Sequence, residues 1–372
     1  MVFDRWFRRA PENVELTVVP AGRQLRVTTR DTVLQSALAQ GLAFPHNCRV
    51  GGCGECKCRL VAGTVKELTD KSYLLSAEEL RANFILACQS LPRSDLTVEV
   101  RLNPAALSHP LVATRARIER LDPLTHDILR VALQLEQPLA YTAGQYAEVL
   151  VPRAAGGEVG ASRSYSFAGA PGRDGASSRI EFFIRKVASG RFTQWLFDHA
   201  APGDELDLRG PFGDFHLHAA GRPLLCIAGG SGLAPIKAML EQAHLEGHAS
   251  RDVTLIFGAR TQADLYSRQA LDAVAKAWTG RFDVVPALSA EPDDSAWTGV
   301  RGLVSEQLAR MMPAAKLAAH DIYLCGPPGM IDACLDVLAT CGTAADQIHF
   351  DKFLDSGHAV TASDDGVVAR AG

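Results

Sequence analysis

The sequence predicts a multidomain protein: an α+β unit first, an antiparallel β-barrel next, and an α/β doubly wound parallel sheet last. Three observations point there. At 372 residues and 47% apolar content, the chain exceeds what one ordinary core organises and folds as two or three domains. Its hydrophobic pattern changes near residue 221, from short alternating strands to strands that take turns with helices. Pro104 and Pro110 bracket the small and polar residues of NPAALSHP, which reads as a linker because the prolines discourage helix.

The first block, 11–103, holds the strands VELTVV and QLRVTT and one helix that begins near Asp31. Asp31 or Thr32 can cap it, and Val33, Leu34, Ala37 and Leu38 form the stripe that turns inward. After it comes PHNCRVGGCGECKC, in which Cys48, Cys53 and Cys56 stand as C-x4-C-x2-C, with Cys88 after 31 further residues. That is the plant-type ligand pattern for a [2Fe-2S] cluster. Gly51, Gly52 and Gly54 let the backbone wrap tightly and aim N–H groups at sulfur. A zinc site is the competing account, but structural zinc usually takes two C-x2-C knuckles and only one pair here has that separation. Cys58 begins the strand KCRLVAG and is expected to pack rather than ligate.

The second block, 111–217, is a series of short strands, TRARIERL, DILRVALQL, GQYAEVLVP, RSYSFAG, RIEFFIRK and DELDLRGP, as in an antiparallel barrel. The third, 221–353, sets the strands PLLCIAG, VTLIFGA, FDVVPAL, DIYLCG and IHFDKF between helical stretches near 234–247, 264–278, 303–312 and 329–341. Strand and helix in turn imply a doubly wound sheet. In CIAGGSGLAP, Gly229, Gly230, Ser231 and Gly232 lie where a strand runs into a helix, and glycines there admit a pyrophosphate to the positive end of the helix dipole.

Composition excludes several functions. The net charge of -4 argues against nucleic acid, and no run reaches the roughly 18 apolar residues of a membrane span. Cys226, Cys325, Cys334 and Cys341 are scattered without a paired framework and no signal peptide precedes them, so a reducing compartment, the cytoplasm, is expected. The opening MVFDRWFRRA sets Phe3, Trp6 and Phe7 beside Arg5, Arg8 and Arg9, as in a frayed terminus or a small docking patch. The tail 354–372 has little apolar content and is expected to be disordered.

Taken together, PHNCRVGGCGECKC, GQY at 144–146, RSYS at 163–166, SGRFTQWL, GPFGDF, CIAGGSGLAP, CGPPGM and FDKF resemble, in register and over nearly the whole chain, the one-chain reductase components of bacterial multicomponent oxygenases. The cluster segment looks most like the xylene monooxygenase type; benzoate dioxygenase, phenol hydroxylase and soluble methane monooxygenase reductases are further relatives. The resemblance implies a β-grasp ferredoxin domain at 11–103, an FAD-binding barrel at 111–217 and an NAD-binding domain at 221–353. It implies that Arg163 pairs with the flavin pyrophosphate, Tyr165 packs on the isoalloxazine, and Ser164 and Ser166 complete the motif with Ser166 near flavin N5. Gly190 and Thr193 fall where a glycine and a hydroxyl open the helix that receives the flavin phosphates. Cys325, Gly326 and Pro327 match the loop that brings the nicotinamide to the flavin, with Ser166 and Cys325 nearest the chemistry; a structural, buried Cys325 is the alternative.

Asp264 would pair with the ribose hydroxyls of NADH, whereas Arg260 would favour the 2'-phosphate of NADPH; the resemblance favours Asp264 and NADH. Phe350 or Phe353 would cover the flavin, with Phe353 the residue assigned, and Asp351 stands where the family carries Glu. The implied activity passes electrons from NADH to FAD and then, singly, to the [2Fe-2S] cluster and a partner: a Rieske dioxygenase, a diiron monooxygenase or their ferredoxin. A deoxysugar dehydratase as acceptor, and a scaffold or sensor without turnover, are the alternatives. The expected working form is a monomer. Residues 11–100 carry ten acidic and ten basic side chains, so docking is expected to rest on apolar contacts near Arg49 and Val50.

Overall fold

A computed structural model describes residues 12–102, 109–156, 161–218 and 221–353. The opening segment MVFDRWFRRA, the core of the NPAALSHP linker and the tail lie outside the described residues. The chain divides into two compact units, one ahead of His109 and one from His109 to Phe353.

The first unit is built on the strand Asn13–Val19, in which Val14, Leu16 and Val18 face inward and alternate with more exposed neighbours. This strand pairs antiparallel with Arg23–Thr28 and parallel with Leu96–Glu99. Lys57–Ala62 and Phe84–Leu86 extend the sheet on the far side, which gives the mixed five-stranded order of a β-grasp. Thr32 rather than Asp31 caps the helix Val33–Ala39: its hydroxyl accepts from Gln35 N at 3.2 Å while Gln35 Oε1 accepts from Thr32 N at 2.9 Å. Asp31 is engaged one step earlier, accepting from the Thr28 hydroxyl.

The second unit joins the barrel and the parallel sheet. Six antiparallel strands run in the order Ser162–Ser166, Tyr146–Leu150, Glu205–Phe212, Val112–Pro123, Ile128–Ala140, Ala176–Arg185, and a bridge between Phe167 and Phe182 joins the two edges. The helix Arg191–Asp198 sends Phe192 and Leu196 into the same core. The parallel sheet starts at its centre with Leu224–Gly229 and winds outward through Val253–Ala259, Phe282–Leu288 and Val300–Arg301. The chain then crosses to the other flank for Asp321–Gly326 and Ile348–Lys352. Leu224, Cys226 and Ala228 face one set of helices, Leu233–Leu245 and Arg268–Ala277; Leu225 and Ile227 face the other, Val304–Met311 and Pro328–Thr340. Burial on both faces explains why the central strands read as unbroken apolar runs. The winding reverses between Leu224–Gly229 and Asp321–Gly326, and in open α/β sheets ligands bind outside the carboxyl ends of strands at such a switch point.

Candidate functional site

The four cysteines of the 48–88 pattern converge in the first unit as two neighbouring pairs, Cys48 with Cys53 and Cys56 with Cys88. Within each pair one thiol is pushed down and the other up, because the first accepts the other's S–H: Cys48 falls to about 6 and Cys88 is lowered, while Cys53 and Cys56 rise. Gly52 N points at Cys48 Sγ at 3.3 Å and Cys48 N at Cys53 Sγ at 3.5 Å, so peptide donors are already aimed at sulfur.

The spacing of the pairs separates the two metal readings. Four thiolates on one zinc stand about 3.8 Å apart. Among the described residues no three of these sulfurs lie within 4.8 Å of one another. Two pairs, each suited to one iron, fit a two-iron cluster. Gly51 closes the loop at φ +83°, and a Cβ there would come within 2.8 Å of Gln89 Cγ, beside Cys88. Its carbonyl accepts from the Tyr73 hydroxyl. Cys58 is buried on Lys57–Ala62 and pushed up to about 12 by desolvation, so it belongs to the core.

In the barrel, Arg163, Ser164, Tyr165 and Ser166 form one edge strand, registered against Val149, Glu148, Ala147 and Tyr146. Arg163 and Ser164 are exposed and Ser166 is buried. The Tyr165 ring packs against Phe182 and Phe192 with centroids 6.0 and 5.9 Å away, and burial pushes its hydroxyl up. Gly190 N-caps Arg191–Asp198 without a side-chain cap, which leaves N–H groups at the helix mouth. The Thr193 hydroxyl faces the same turn, accepting from Val187 N and donating to Gly190 O, both at 3.0 Å.

At the switch point the two nucleotide motifs touch. A Cβ on Gly232 would come within 2.5 Å of the Cys325 carbonyl carbon and 2.7 Å of Gly326 N, so the glycine-rich turn lies directly on the Cys325–Gly326 peptide. Gly230 has φ +53° and its carbonyl accepts from the Tyr266 hydroxyl at 2.8 Å. Ser231 completes the turn before Leu233–Leu245. Cys325 is wholly buried, and its thiol is pushed up by burial and then by Asp351. Pro327 N-caps Pro328–Thr340, and Phe353 N donates to Gly326 O at 2.9 Å, which ties the terminal strand to the same loop. Asp264 stands further along. Its Oδ2 accepts from Thr261 N at 2.9 Å and Thr261 Oγ1 at 3.0 Å, and its Oδ1 lies 3.3 Å from His126 Nδ1 on the barrel.

Two neighbours of this site, Arg185 and Tyr266, carry no motif in the sequence. Arg185, held by Asp127 at 2.8 Å, reaches to within 3.8 Å of where a Gly230 Cβ would stand. Tyr266 follows Asp264 by two residues and braces Gly230. Their signal lay in the basic end of RIEFFIRK and in the aromatic of ADLY, but their partners are remote in sequence.

Three domain families match the chain in order: a 2Fe-2S iron-sulfur cluster binding domain at 16–93, an oxidoreductase FAD-binding domain at 115–217 and an oxidoreductase NAD-binding domain at 226–336. Over 345 residues the chain is 39% identical to the xylene/toluene monooxygenase electron transfer component XylA of Pseudomonas putida, covering 92% of this chain and 94% of that one. The chain belongs to the reductase components of bacterial oxygenase systems. The phenol 2-monooxygenase reductase component DmpP of a Pseudomonas species is 33% identical over 87% of this chain and 89% of its own length. Among solved structures, the Amycolatopsis cytochrome P450 reductase GcoB superposes with a TM-score of 0.78 at 34% identity, covering 91% of this chain and 98% of that one. The ferredoxin reductase in carbazole 1,9a-dioxygenase gives 0.71 at 32%, covering 92% and 98%. This reductase-component chain thus carries the domains that bind [2Fe-2S], FAD and NAD. Among the described residues no helix is long and apolar enough to cross a membrane.

Proposed function

We propose that this chain is the NADH-dependent reductase of an oxygenase system, delivering single electrons to a terminal oxygenase, a Rieske dioxygenase or a diiron monooxygenase, or to its ferredoxin. The observation that carries the reading is the convergence of Cys48, Cys53, Cys56 and Cys88 in the first unit with the Gly52 and Cys48 amides aimed at sulfur, which gives a chain with FAD- and NAD-binding domains a one-electron outlet. When bound, FAD accepts electrons from the nicotinamide as a hydride and releases them singly to the cluster, a conversion that neither NADH nor [2Fe-2S] supplies alone.

The chain's own residues bind and orient. Arg163 pairs with the flavin pyrophosphate, Ser164 and Ser166 offer hydroxyls along the same strand with Ser166 toward N5, and Tyr165 supports the ring system on the barrel aromatics. Gly190 opens the helix mouth to the flavin phosphates, and Thr193 shapes the turn by its internal hydrogen bonds. Gly229, Gly230, Ser231 and Gly232 receive the dinucleotide pyrophosphate. Cys325, Gly326 and Pro327 guide the nicotinamide, Phe353 covers the flavin, and Asp264 reads the ribose hydroxyls. The shuttle works as a cytoplasmic monomer, exposing the cluster loop to its partner through Val50 and its neighbours.

The test is visible absorption of the purified chain under argon, before and after stoichiometric NADH, with NADPH in parallel. Bleaching of both flavin and iron-sulfur bands by NADH is expected, with little change by NADPH. Flavin bleaching with no cluster band present would overturn the assignment of the four cysteines.

A further inference from the structure

Lys237 is a charged residue where the sequence reads an apolar helix, and it is only 7% exposed. It lies one turn into Leu233–Leu245, the helix that starts at the glycine-rich turn, and its ammonium points at the barrel. Nζ donates to Ala168 O at 2.9 Å, two residues beyond Ser166 on the segment that continues the flavin strand. The same Nζ pairs with Glu241 Oε1 at 2.6 Å and sits 5.9 Å from the Phe183 ring centroid. Glu241 uses its other oxygen to accept from Ala170 N at 3.4 Å. One residue on, Gln242 Oε1 accepts from Ala143 N at 2.6 Å, beside Gly144, where a Cβ would run into the Phe215 carbonyl.

Three polar side chains on one helix thus hold three backbone groups of the barrel: Lys237 the carbonyl of 168, Glu241 the amide of 170, and Gln242 the amide of 143. Apolar packing already joins the two layers here, since Ala168 and Phe183 share a core cluster with Leu233, Ala234 and Ile236. A buried ion pair adds little to stability over an apolar pair of similar volume; what it adds is direction, because its hydrogen bonds fix one register. We propose that Lys237, with Glu241, is a positioning residue for hydride transfer. It locks the nucleotide helix to the end of the flavin strand, so that a nicotinamide guided by the Cys325–Pro327 loop meets the flavin at reacting distance. The inference rests on the functional reading above.

The test uses the full, cofactor-loaded chain and the double substitution Lys237→Met with Glu241→Met, which replaces the pair by apolar side chains of similar length. The expected result is unchanged FAD content, a melting temperature modestly below that of the parent because Ala168 O and Ala170 N lose their partners, and a near-parental half-saturating NADH concentration. The limiting rate of flavin reduction by NADH in anaerobic stopped flow is expected to fall roughly tenfold to a hundredfold, the penalty of a misplacement near 1 Å. Faster amide exchange in the peptide containing 168–170 accompanies it. A parental limiting rate overturns the proposal, and so does a loss confined to FAD content or thermal stability with the rate per bound flavin retained. If NADH does not reduce the flavin of the parent chain at all, the functional reading fails before any variant is compared, and this inference falls with it.

Discussion

Replacing Gly232 by alanine perturbs the point where the two nucleotide motifs meet. The added Cβ would stand 2.5 Å from the Cys325 carbonyl carbon and 2.7 Å from Gly326 N, with the carbonyl oxygen closer still. Ordinary carbon contacts begin near 3.4 Å, so the turn and the Cys325 loop must separate by roughly 1 Å, and both are backbone at the ends of buried strands. Overpacking of this kind costs about 1–3 kcal/mol. Across a unit of this size that lowers the melting temperature by roughly 2–10 °C. If this turn receives the dinucleotide as proposed, its displacement also weakens binding, and about 1.4 kcal/mol lost there raises the half-saturating NADH concentration tenfold. The control is Gly221→Ala, because no atom lies within 4 Å of a Cβ at that position. Differential scanning calorimetry and steady-state NADH oxidation read both effects. If Gly232→Ala melts like Gly221→Ala and keeps the parental NADH dependence, the close approach of the two motifs is refuted.

Three more outcomes follow from the structure. The His349 ring lies 4.3 Å from His218 and stacks on Tyr323 at 4.7 Å, and burial, then His218, takes it down to about 4. Its folded pKa is thus below the unfolded value near 6.5, so its contribution is complete above about pH 6.5 and is lost as pH falls toward 4; His349→Phe should flatten the melting-temperature profile over that window. Cys88→Ser should abolish the iron-sulfur bands and lower bound iron while flavin stays, whereas Cys58→Ala, on a core side chain, should keep iron content and cost about 1–2 kcal/mol in denaturant melts. Asp264→Ala should remove the cap on Thr261, worth about 1 kcal/mol, and lower the NADH over NADPH ratio of kcat/KM by roughly tenfold.

Much of this was legible because the signals are local. The cysteine spacing, the glycine-rich turn and the RSYS strand each sit within a few residues, and the change from barrel to doubly wound sheet shows in the period of the apolar residues. The strands Val65–Glu67, Phe84–Leu86 and Ser90–Pro92, three residues each, are too short to display a period. Val300–Arg301 is shorter still, with two residues. Lys237 was hidden because its partner Ala168 is 69 positions away and nothing near APIKAML marks the lysine as buried. Asp264 carried a readable sign in the Thr261-x-x-Asp264 box, which closes on itself in the structure. Its contact with His126 joins barrel to nucleotide domain, and that pairing depends on tertiary placement alone.

Electron delivery by this chain requires that its four cysteines hold a two-iron cluster filled with electrons from NADH. The direct measurement is low-temperature electron paramagnetic resonance of the purified chain reduced anaerobically by NADH, with iron and acid-labile sulfide assayed on the same sample. The expected result is a rhombic spin-one-half signal approaching one spin per chain, with two irons and two sulfides, silent before reduction and lost in Cys88→Ser. One metal ion per chain without labile sulfide, or a cluster that dithionite reduces and NADH does not, would contradict it.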